Sequence, residues 1–222
     1  MAKKKTGLLG GAFSPPHFGH LRPAREAMLA LGLERVVLIP SGTHPFKGRD
    51  VLAPANRRLE MVRLAVAGQP EFDVWEIEVA RSGISYTIET VTEWHRRWPD
   101  EEPVLLVGSD LLHEWHLWRA WQKIIEHTHI CLLTRPGHPW EASNAPALAW
   151  LRRFQVTQAE ALDFQNTGRY GFFVQPVTLL EISSTELRRR LRAGESLHGL
   201  TPDPVIEYLT MHAIYQEQKL WQ

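Results

Sequence analysis

The sequence lacks the features of a disulfide-stabilised fold, a membrane protein or a nonspecific binder of charged polymers. Its one cysteine, Cys131, cannot pair within the chain, which excludes a disulfide framework or a zinc site built from cysteines. The 25 basic and 25 acidic side chains cancel, so there is no global field to attract nucleic acid or a membrane surface. No apolar run approaches the roughly 20 residues that cross a bilayer. These absences predict a cytoplasmic protein with neither nucleic acid nor membrane as a partner.

The composition that remains is that of an ordinary globular domain, with 44% hydrophobic and 23% charged residues. We expect one domain over residues 1–222, with residues 1–5 as a disordered lead-in and residues 183–222 as closing helices. The lysine-rich start has the charge of a secretion signal, but glycines and prolines interrupt the apolar stretch that follows. The sequence does not determine the oligomeric state, and a homo-oligomer is one of the states that it allows.

Short apolar runs alternate with longer segments of helical period, which is typical of an α/β protein with a mostly parallel sheet covered by helices. The predicted strands are Thr6–Gly10, Arg35–Pro40, Glu71–Val79, Val104–Val107, His129–Thr134 and Phe172–Ile182. The predicted helices are His20–Leu31, Ala55–Ala67, Tyr86–Arg97, Ala147–Phe154, Ser183–Ala193 and Pro204–Gln216.

The segment from Gly10 to His20 is the most informative for chemistry. Gly10 and Gly11 follow a strand directly, and the next helix directs its free N–H groups and the positive end of its dipole at the same place. His17 and His20 lie three residues apart at the helix entrance, where both rings could donate to phosphoryl oxygens. The pattern matches neither GxGxxG nor the P-loop, so a dehydrogenase or P-loop NTPase is disfavoured. The segment predicts a phosphate cradle.

A second helix entrance carries polar groups suited to an anion. Ser183 and Glu186 have the spacing of a capping box, and Arg188 follows within one turn. Each of the two segments also has a purely structural interpretation. The two histidines of the first segment could merely cap a helix, and the second segment could be a capped helix with a solvated basic face. The presence of both segments in one chain disfavours these alternatives.

Two motifs carry a resemblance to a known family. GGAFSPPHFGH resembles the His-x-Gly-His signature of nucleotidyltransferases, and ISSTELR resembles their distal Ile-Ser-x-Thr-x-x-Arg motif. The chain is most similar to the bacterial nicotinate-nucleotide adenylyltransferases, from Gly10 to about Tyr215. The resemblance implies a doubly wound, Rossmann-like fold with helices on both faces. It also implies adenylyl transfer from ATP to nicotinate mononucleotide in NAD biosynthesis, with Mg²⁺ brought by ATP and held by few protein ligands.

The site residues that the segments and the resemblance imply fall into three groups. The catalytic group is His17, His20 and Arg188. The ATP-binding group is Gly10, Gly11, Ala12, Phe13, Lys47, Gly108, Asp110, Ile182, Ser183, Ser184 and Thr185. The group that binds the pyridine nucleotide is Tyr86, Thr87, Trp118, Arg119 and Arg135.

The chain departs from the family pattern at two places. Ser14 stands where the family usually has aspartate, and we expect little loss because serine keeps the turn chemistry. His44 is displaced from the family's histidine position, which puts its phosphate role in doubt. His113 and His116 lack the i, i+4 spacing of a helical zinc site, so we predict no metal-ligand set there.

Other functions share the same cradle. Among enzymes, the alternatives are adenylyl transfer to nicotinamide mononucleotide, adenylyl transfer to phosphopantetheine, and cytidylyl transfer. The last two fit the chain length and the positions of Tyr86, Thr87 and Trp118 poorly. Outside enzymes, the chain could be a nucleotide-binding sensor without turnover.

Overall fold

The structure is a computed structural model that describes residues 3–42, 52–134, 140, 143, 145–163, 169–178 and 180–216. Six strands form one parallel sheet in the order β3-β2-β1-β4-β5-β6. The strands are β1 Lys4–Gly11, β2 Arg35–Pro40, β3 Phe72–Val74, β4 Glu101–Gly108, β5 His129–Leu133 and β6 Phe172–Gln175. This strand order is that of a doubly wound fold, so the predicted fold class is confirmed.

The α-helices of the described residues are α1 Phe18–Leu31, α2 Ala55–Val66, α3 Ile77–Ala80, α4 Thr87–Arg97, α5 Pro146–Leu151, α6 Gln158–Leu162, α7 Ser184–Arg192 and α8 Asp203–Met211. Short 3₁₀ segments lie at Ser109–His113, Trp115–Leu117, Trp121–Glu126 and Arg152–Phe154. Within the described part of the chain, none of the helices is both long enough and apolar enough to span a membrane.

The chain divides into two compact units. The first unit comprises Met1–Leu9, Pro23–Val37 and Tyr86–Leu179, and the second comprises Gly10–Arg22, Leu38–Ser85 and Leu180–Gln222. In the first unit β1 pairs with β4 from Lys4 opposite Glu101 to Leu8 opposite Leu105, and β4 pairs with β5 and β5 with β6 in the same parallel sense. The single domain expected from composition stays a prediction.

The segments with the clearest sequence signals form where predicted. β2 has the predicted bounds, and all of its residues after Arg35 are buried. In α1 the predicted apolar stripe is buried, and Gly32 ends the helix with a φ of +58°. β1 begins two residues before the predicted Thr6, so Lys4 and Lys5 belong to the sheet rather than to a lead-in.

Three predicted segments are shorter than the sequence pattern indicated. The strand expected over Glu71–Val79 ends at Val74, because Ala80 N donates to Glu76 O and turns the chain into α3. β6 ends at Gln175 and not at Ile182, because Pro176 has no N–H for the strand ladder. The last helix ends at Met211, and the left-handed Ala213 and Tyr215, with φ of 47° and 66°, prevent its continuation to Gln216.

Candidate active site

The loop after β1, in the second unit, has an unusual backbone conformation, and Gly10 and Gly11 are the last two residues of the strand before it. Phe13 adopts a left-handed conformation with a φ of 46°, and the Ser14–Pro15 bond is cis. A Cβ on Gly11 would lie 3.1 Å from the Phe13 ring, a close contact that the ring would have to relieve by a small shift. A Cβ on Gly10 would meet no protein atom within 4 Å, so the protein's own packing does not require this glycine. The open space beside Gly10 leaves room for a ligand to approach the backbone closely.

The two predicted histidines are in contact. Their ring centroids are 3.7 Å apart with an interplanar angle of 28°, and the edge of Phe13 lies against His20 at 5.1 Å. His20 Nδ1 accepts a hydrogen bond from the His17 backbone N–H at 3.2 Å, which places the proton of a neutral His20 on Nε2. His17 is buried, with 1% of its surface exposed, whereas His20 is part-exposed. Nε2 of His20 is therefore the ring atom suited to donate to a phosphoryl oxygen.

The backbone between the glycines and the histidines is held by side chains that donate to three consecutive carbonyls. The bonds run from Arg188 Nη1 to Ser14 O at 2.7 Å, from Ser184 Oγ to Pro15 O at 2.8 Å, and from Thr201 Oγ1 to Pro16 O at 2.7 Å. Pro15 and Pro16 have no N–H groups, so the carbonyls are their only backbone hydrogen-bonding groups. The histidine loop is thus fixed before any ligand binds.

The N-terminus of α7 forms half of the predicted capping box. Ser183 Oγ accepts from Glu186 N at 3.2 Å, while the Glu186 carboxylate bonds to Arg189 and Arg190. The hydrogen bond from Arg189 is the largest of the effects that lower the Glu186 pKa to about 2. Ile182, directly before the cap, has its carbonyl oxygen 2.9 Å from where a Cβ on Gly19 would lie, so this glycine permits the close approach of α1 and the α7 entrance.

The Arg188 side chain is buried and makes several contacts within the protein. It is 7% exposed, and its Nη2 donates to Thr185 Oγ1 at 3.1 Å while its Cζ lies 5.9 Å from the Tyr215 ring centre. Burial lowers the pKa of the guanidinium, which still stays charged at neutral pH. Its bond to the Ser14 carbonyl makes it part of the loop's support, and its predicted catalytic role stays a prediction.

Ser14, the departure from the family pattern, does not face the open side of the cradle. Its buried hydroxyl bonds to the Tyr215 hydroxyl at 2.5 Å and accepts from Ala53 N at 3.4 Å. The serine therefore ties the loop to the C-terminal segment and to the residue that precedes α2 by two positions.

Sequence reasoning missed Arg58, which supports the same loop. Its side chain is 2% exposed and donates to the carbonyls of Ala12, Gly42 and Ala53. The signal was present in the sequence, because Arg58 shares the buried face of α2 with Met61, Val62 and Ala65. Tyr215 and Thr201 were also missed, and their contacts to residues about 185 to 200 positions away leave no local signal.

In the first unit, two of the predicted pyridine-binding residues, Tyr86 and Arg119, are in contact, and Thr87 and Trp118 are their neighbours in the sequence. α4 begins at Thr87, and Tyr86 precedes it without a side-chain cap. The Arg119 guanidinium lies 4.8 Å from the Tyr86 ring centre and pairs with Glu89 at 3.3 Å. The Trp118 ring is stacked on the buried Trp115, with centroids 4.7 Å apart and planes at 19°. An aromatic face supported from behind is a suitable stacking platform for a planar ring.

The remaining predicted residues lie at strand ends or outside the described residues. Gly108 is the last residue of β4, and Asp110 follows in the 3₁₀ segment, beside the carboxyl end of a parallel strand where ligands of such sheets bind. Lys47, Arg135 and His44 lie outside the described residues. Among the residues that the structure describes, no group of three or more histidine, cysteine or acidic side chains could hold a metal ion.

Comparison with known proteins agrees with this geometry. The model of the cytidylyltransferase-like family matches residues 8–190. A protein of Herpetosiphon aurantiacus named probable nicotinate-nucleotide adenylyltransferase is 38% identical over 213 residues, covering 96% of this chain and 98% of that protein. One of the same name from Escherichia coli is 33% identical over 215 residues, covering 96% of this chain and all of that protein.

Solved structures show the same fold. Nicotinic acid mononucleotide adenylyltransferase of Plasmodium falciparum complexed with NaAD has a TM-score of 0.70 and 14% identity, and covers 96% of this chain and 97% of that one. The same protein complexed with APC gives a TM-score of 0.68 with the same coverage. Identity at this level supports the fold alone.

The match over residues 8–190 and the histidine cradle define a nucleotidyltransferase of the cytidylyltransferase-like class. The relatives at 33% and 38% identity cover nearly the full length of both chains. The chain therefore belongs to the nicotinate-nucleotide adenylyltransferase family. The predicted family and enzyme class are confirmed.

Proposed function

We propose that the protein transfers AMP from ATP to the 5′-phosphate of nicotinate mononucleotide, forming nicotinate adenine dinucleotide and pyrophosphate. The observation that carries this proposal is the cradle of the second unit, where one short loop connects Gly10 and Gly11 at the end of β1 to the His17–His20 stack at the start of α1. The names of the relatives at 33% and 38% identity support the choice of acceptor.

The chemistry needs alignment and charge stabilisation rather than a covalent intermediate. An oxygen of the acceptor phosphate forms a bond to the α-phosphorus of ATP, and the bond from that phosphorus to the bridging oxygen breaks, releasing pyrophosphate. Charge spreads over the equatorial and leaving oxygens, and fixed donors stabilise it most effectively. His20 Nε2 would supply such a donor, and His17, stacked against it, would hold the ring in place.

The helix N-terminus at Ser183, Ser184 and Thr185 would contribute further positive potential to the phosphates. We keep the predicted contributions of Lys47, which lies outside the described residues, and of Gly108 and Asp110 beside the nucleotide. Mg²⁺ brought by ATP would neutralise triphosphate charge, and we keep the prediction that few protein groups hold it.

The pyridine ring of the acceptor would stack on Trp118, close to the start of α4. Backbone N–H groups at Thr87 offer donors to a carboxylate but no acceptor to the NH₂ of a carboxamide, so we expect the acid to be preferred. Arg119 is paired with Glu89 at an exposed position, so its charge is partly compensated and adds little to this preference.

The test is pyrophosphate release from ATP and Mg²⁺ with a panel of acceptors. The panel contains nicotinate mononucleotide, nicotinamide mononucleotide and phosphopantetheine, with a reaction lacking acceptor as the blank. We expect the highest kcat/KM with nicotinate mononucleotide. An equal or higher value with the amide would overturn the acid assignment, and ATP binding without release for any acceptor would favour a nucleotide sensor.

A further inference from the structure

Arg58 is a buried cation that the reaction described above does not use. It lies on α2 with 2% of its surface exposed, on the face that packs inward with Met61 and Val62. Burying a guanidinium is costly unless its N–H groups find acceptors. Its partners therefore indicate what this position provides to the protein.

All three guanidinium nitrogens of Arg58 donate to main-chain carbonyls. Nε donates to Ala53 O at 2.9 Å, Nη1 to Ala12 O at 2.8 Å, and Nη2 to Gly42 O at 2.9 Å. Nη1 also lies 3.4 Å from Ser41 Oγ. The acceptors belong to three separate segments, which follow β1, follow β2 and precede α2. One planar group thus fixes the relative positions of three loops in the second unit.

We propose that Arg58 is a positioning residue for the polyphosphate of ATP, acting through the Ala12–Phe13 peptide. This inference rests on the proposed function, in which the loop after β1 cradles that polyphosphate. In a trans peptide the C=O and N–H groups point in opposite directions. A bond that holds Ala12 O towards Arg58 therefore directs the Phe13 N–H to the other side of the loop. Phe13 itself is left-handed, with a φ of 46°, a conformation that occurs in turns whose neighbouring N–H groups bind an anion.

The contacts require arginine rather than any cation. The guanidinium presents its donors in a rigid fork, whereas a lysine ammonium is one nitrogen at the end of a flexible chain. Burial lowers the pKa of Arg58, against the opposing influence of Tyr215 and Glu78, and the group stays charged at neutral pH. Its positive charge behind Ala12 thus adds to the potential that attracts phosphate.

The test compares Arg58→Lys with Arg57→Lys, a matched substitution one position earlier on α2. Arg57 donates to Tyr208 Oη at 3.0 Å, so its variant also loses a guanidinium contact, but one outside the cradle. Calorimetry measures binding of inorganic tripolyphosphate and of nicotinate mononucleotide to each protein, with melting temperatures recorded in parallel. Tripolyphosphate is the probe because it carries the phosphate charge without adenosine.

We expect the Kd for tripolyphosphate to rise about 10- to 100-fold in Arg58→Lys, the effect of one or two charged hydrogen bonds. The Kd for nicotinate mononucleotide should rise much less, because we place its ring in the first unit and only its single phosphate near the cradle. Arg57→Lys should keep the wild-type Kd for both ligands, and its melting temperature should be somewhat lower. If Arg58→Lys also keeps its tripolyphosphate affinity and only melts earlier, the role is purely structural and the inference is wrong.

Two further readouts keep the outcome decisive. Should the lysine variant not fold, nuclear magnetic resonance of the wild-type protein follows the Arg58 Nε–H and the Phe13 amide during tripolyphosphate titration. Parallel shifts of both signals support the coupling, and a shift of Phe13 alone contradicts it. If the wild-type protein binds tripolyphosphate but releases no pyrophosphate with any acceptor, the proposed function fails while the role of Arg58 is still tested by binding.

Discussion

The substitution Gly10→Ala separates the fold from ligand binding better than any other change in the cradle. The added Cβ would meet no protein atom within 4 Å, and Gly10 is not in the left-handed region. Alanine in a strand is favoured over glycine by roughly 0.5 to 1 kcal/mol, so the variant should be as stable as the wild type or slightly more stable. For a chain of this size that free energy corresponds to about 1 to 4 °C in melting temperature.

The kcat/KM for ATP, by contrast, should fall strongly in Gly10→Ala. A phosphoryl oxygen that packs directly against the Gly10 Cα would be pushed outward, because the added methyl group takes the place of a hydrogen atom. A misplacement on the order of 1 Å costs about 10²-fold in rate. The assay is steady-state kcat/KM for ATP at saturating nicotinate mononucleotide, with thermal unfolding measured on the same preparations.

The matched control is Gly68→Ala, which should show the opposite pattern. A Cβ on Gly68 would also meet no protein atom within 4 Å, but the φ of this residue is +76°, so alanine is strained there by about 1 kcal/mol or more. The variant should melt earlier and keep its kcat/KM for ATP. If Gly10→Ala retains kcat/KM within twofold of the wild type, no ligand approaches Gly10 and the cradle assignment is refuted.

Two further substitutions and one labelling experiment test other parts of the structure. His20→Ala should lower kcat by about 10²- to 10³-fold at saturating substrates, because a fixed donor is lost when charge develops, and a variant with over half the wild-type kcat would contradict this role. Tyr215→Phe removes the partner of the buried Ser14 hydroxyl and should lower the free energy of unfolding in urea by about 1 to 2 kcal/mol, whereas an unchanged midpoint would show that the bond adds no stability. Burial raises the pKa of the Cys131 thiol, so a thiol reagent should label it only as urea unfolds the protein, and rapid labelling of the native state would argue against that burial.

The elements that the sequence predicted well are those with two independent signals. β2 combines an apolar run with flanking charged and proline residues, and its bounds at Arg35 and Pro40 are those predicted. α1 combines an apolar stripe with a terminating Gly32, and its C-terminal end is also as predicted. Periodicity locates such elements, and a residue with restricted or unusual backbone freedom marks where they end.

Where one signal was used alone, the bounds were wrong. The apolar residues after Phe172 continue past Pro176, and only the missing N–H of that proline reveals the end of β6. The end of α8 has no such mark, because Ala213 and Tyr215 are not residues that usually adopt a positive φ. Tertiary contacts determine their backbone, among them the hydrogen bond between Tyr215 and Ser14.

The residues of the predicted site also fall into those with a local sequence signal and those without one. The contact between His17 and His20 could be predicted because their spacing at a helix entrance is local. The residues that hold their loop could not, since Arg188 and Thr201 donate to carbonyls more than 170 positions away. Every residue has a carbonyl, so an acceptor of this kind gives the sequence no feature to recognise.

Two buried arginines among the described residues of the second unit act on opposite sides of one residue. Arg58 holds the carbonyl of Ala12 and Arg188 holds that of Ser14, and Phe13 between them has the only left-handed conformation in the loop. Pro15 after Ser14 has no N–H, so of the two peptides held in this way only the Ala12–Phe13 peptide can offer one to a ligand. The strain of a left-handed phenylalanine, roughly 1 to 2 kcal/mol, is therefore offset by charged hydrogen bonds on both sides. Because both arginines restrain the same residue, their substitutions should be less than additive in phosphate affinity, since either one alone already frees Phe13 to leave the conformation that binds.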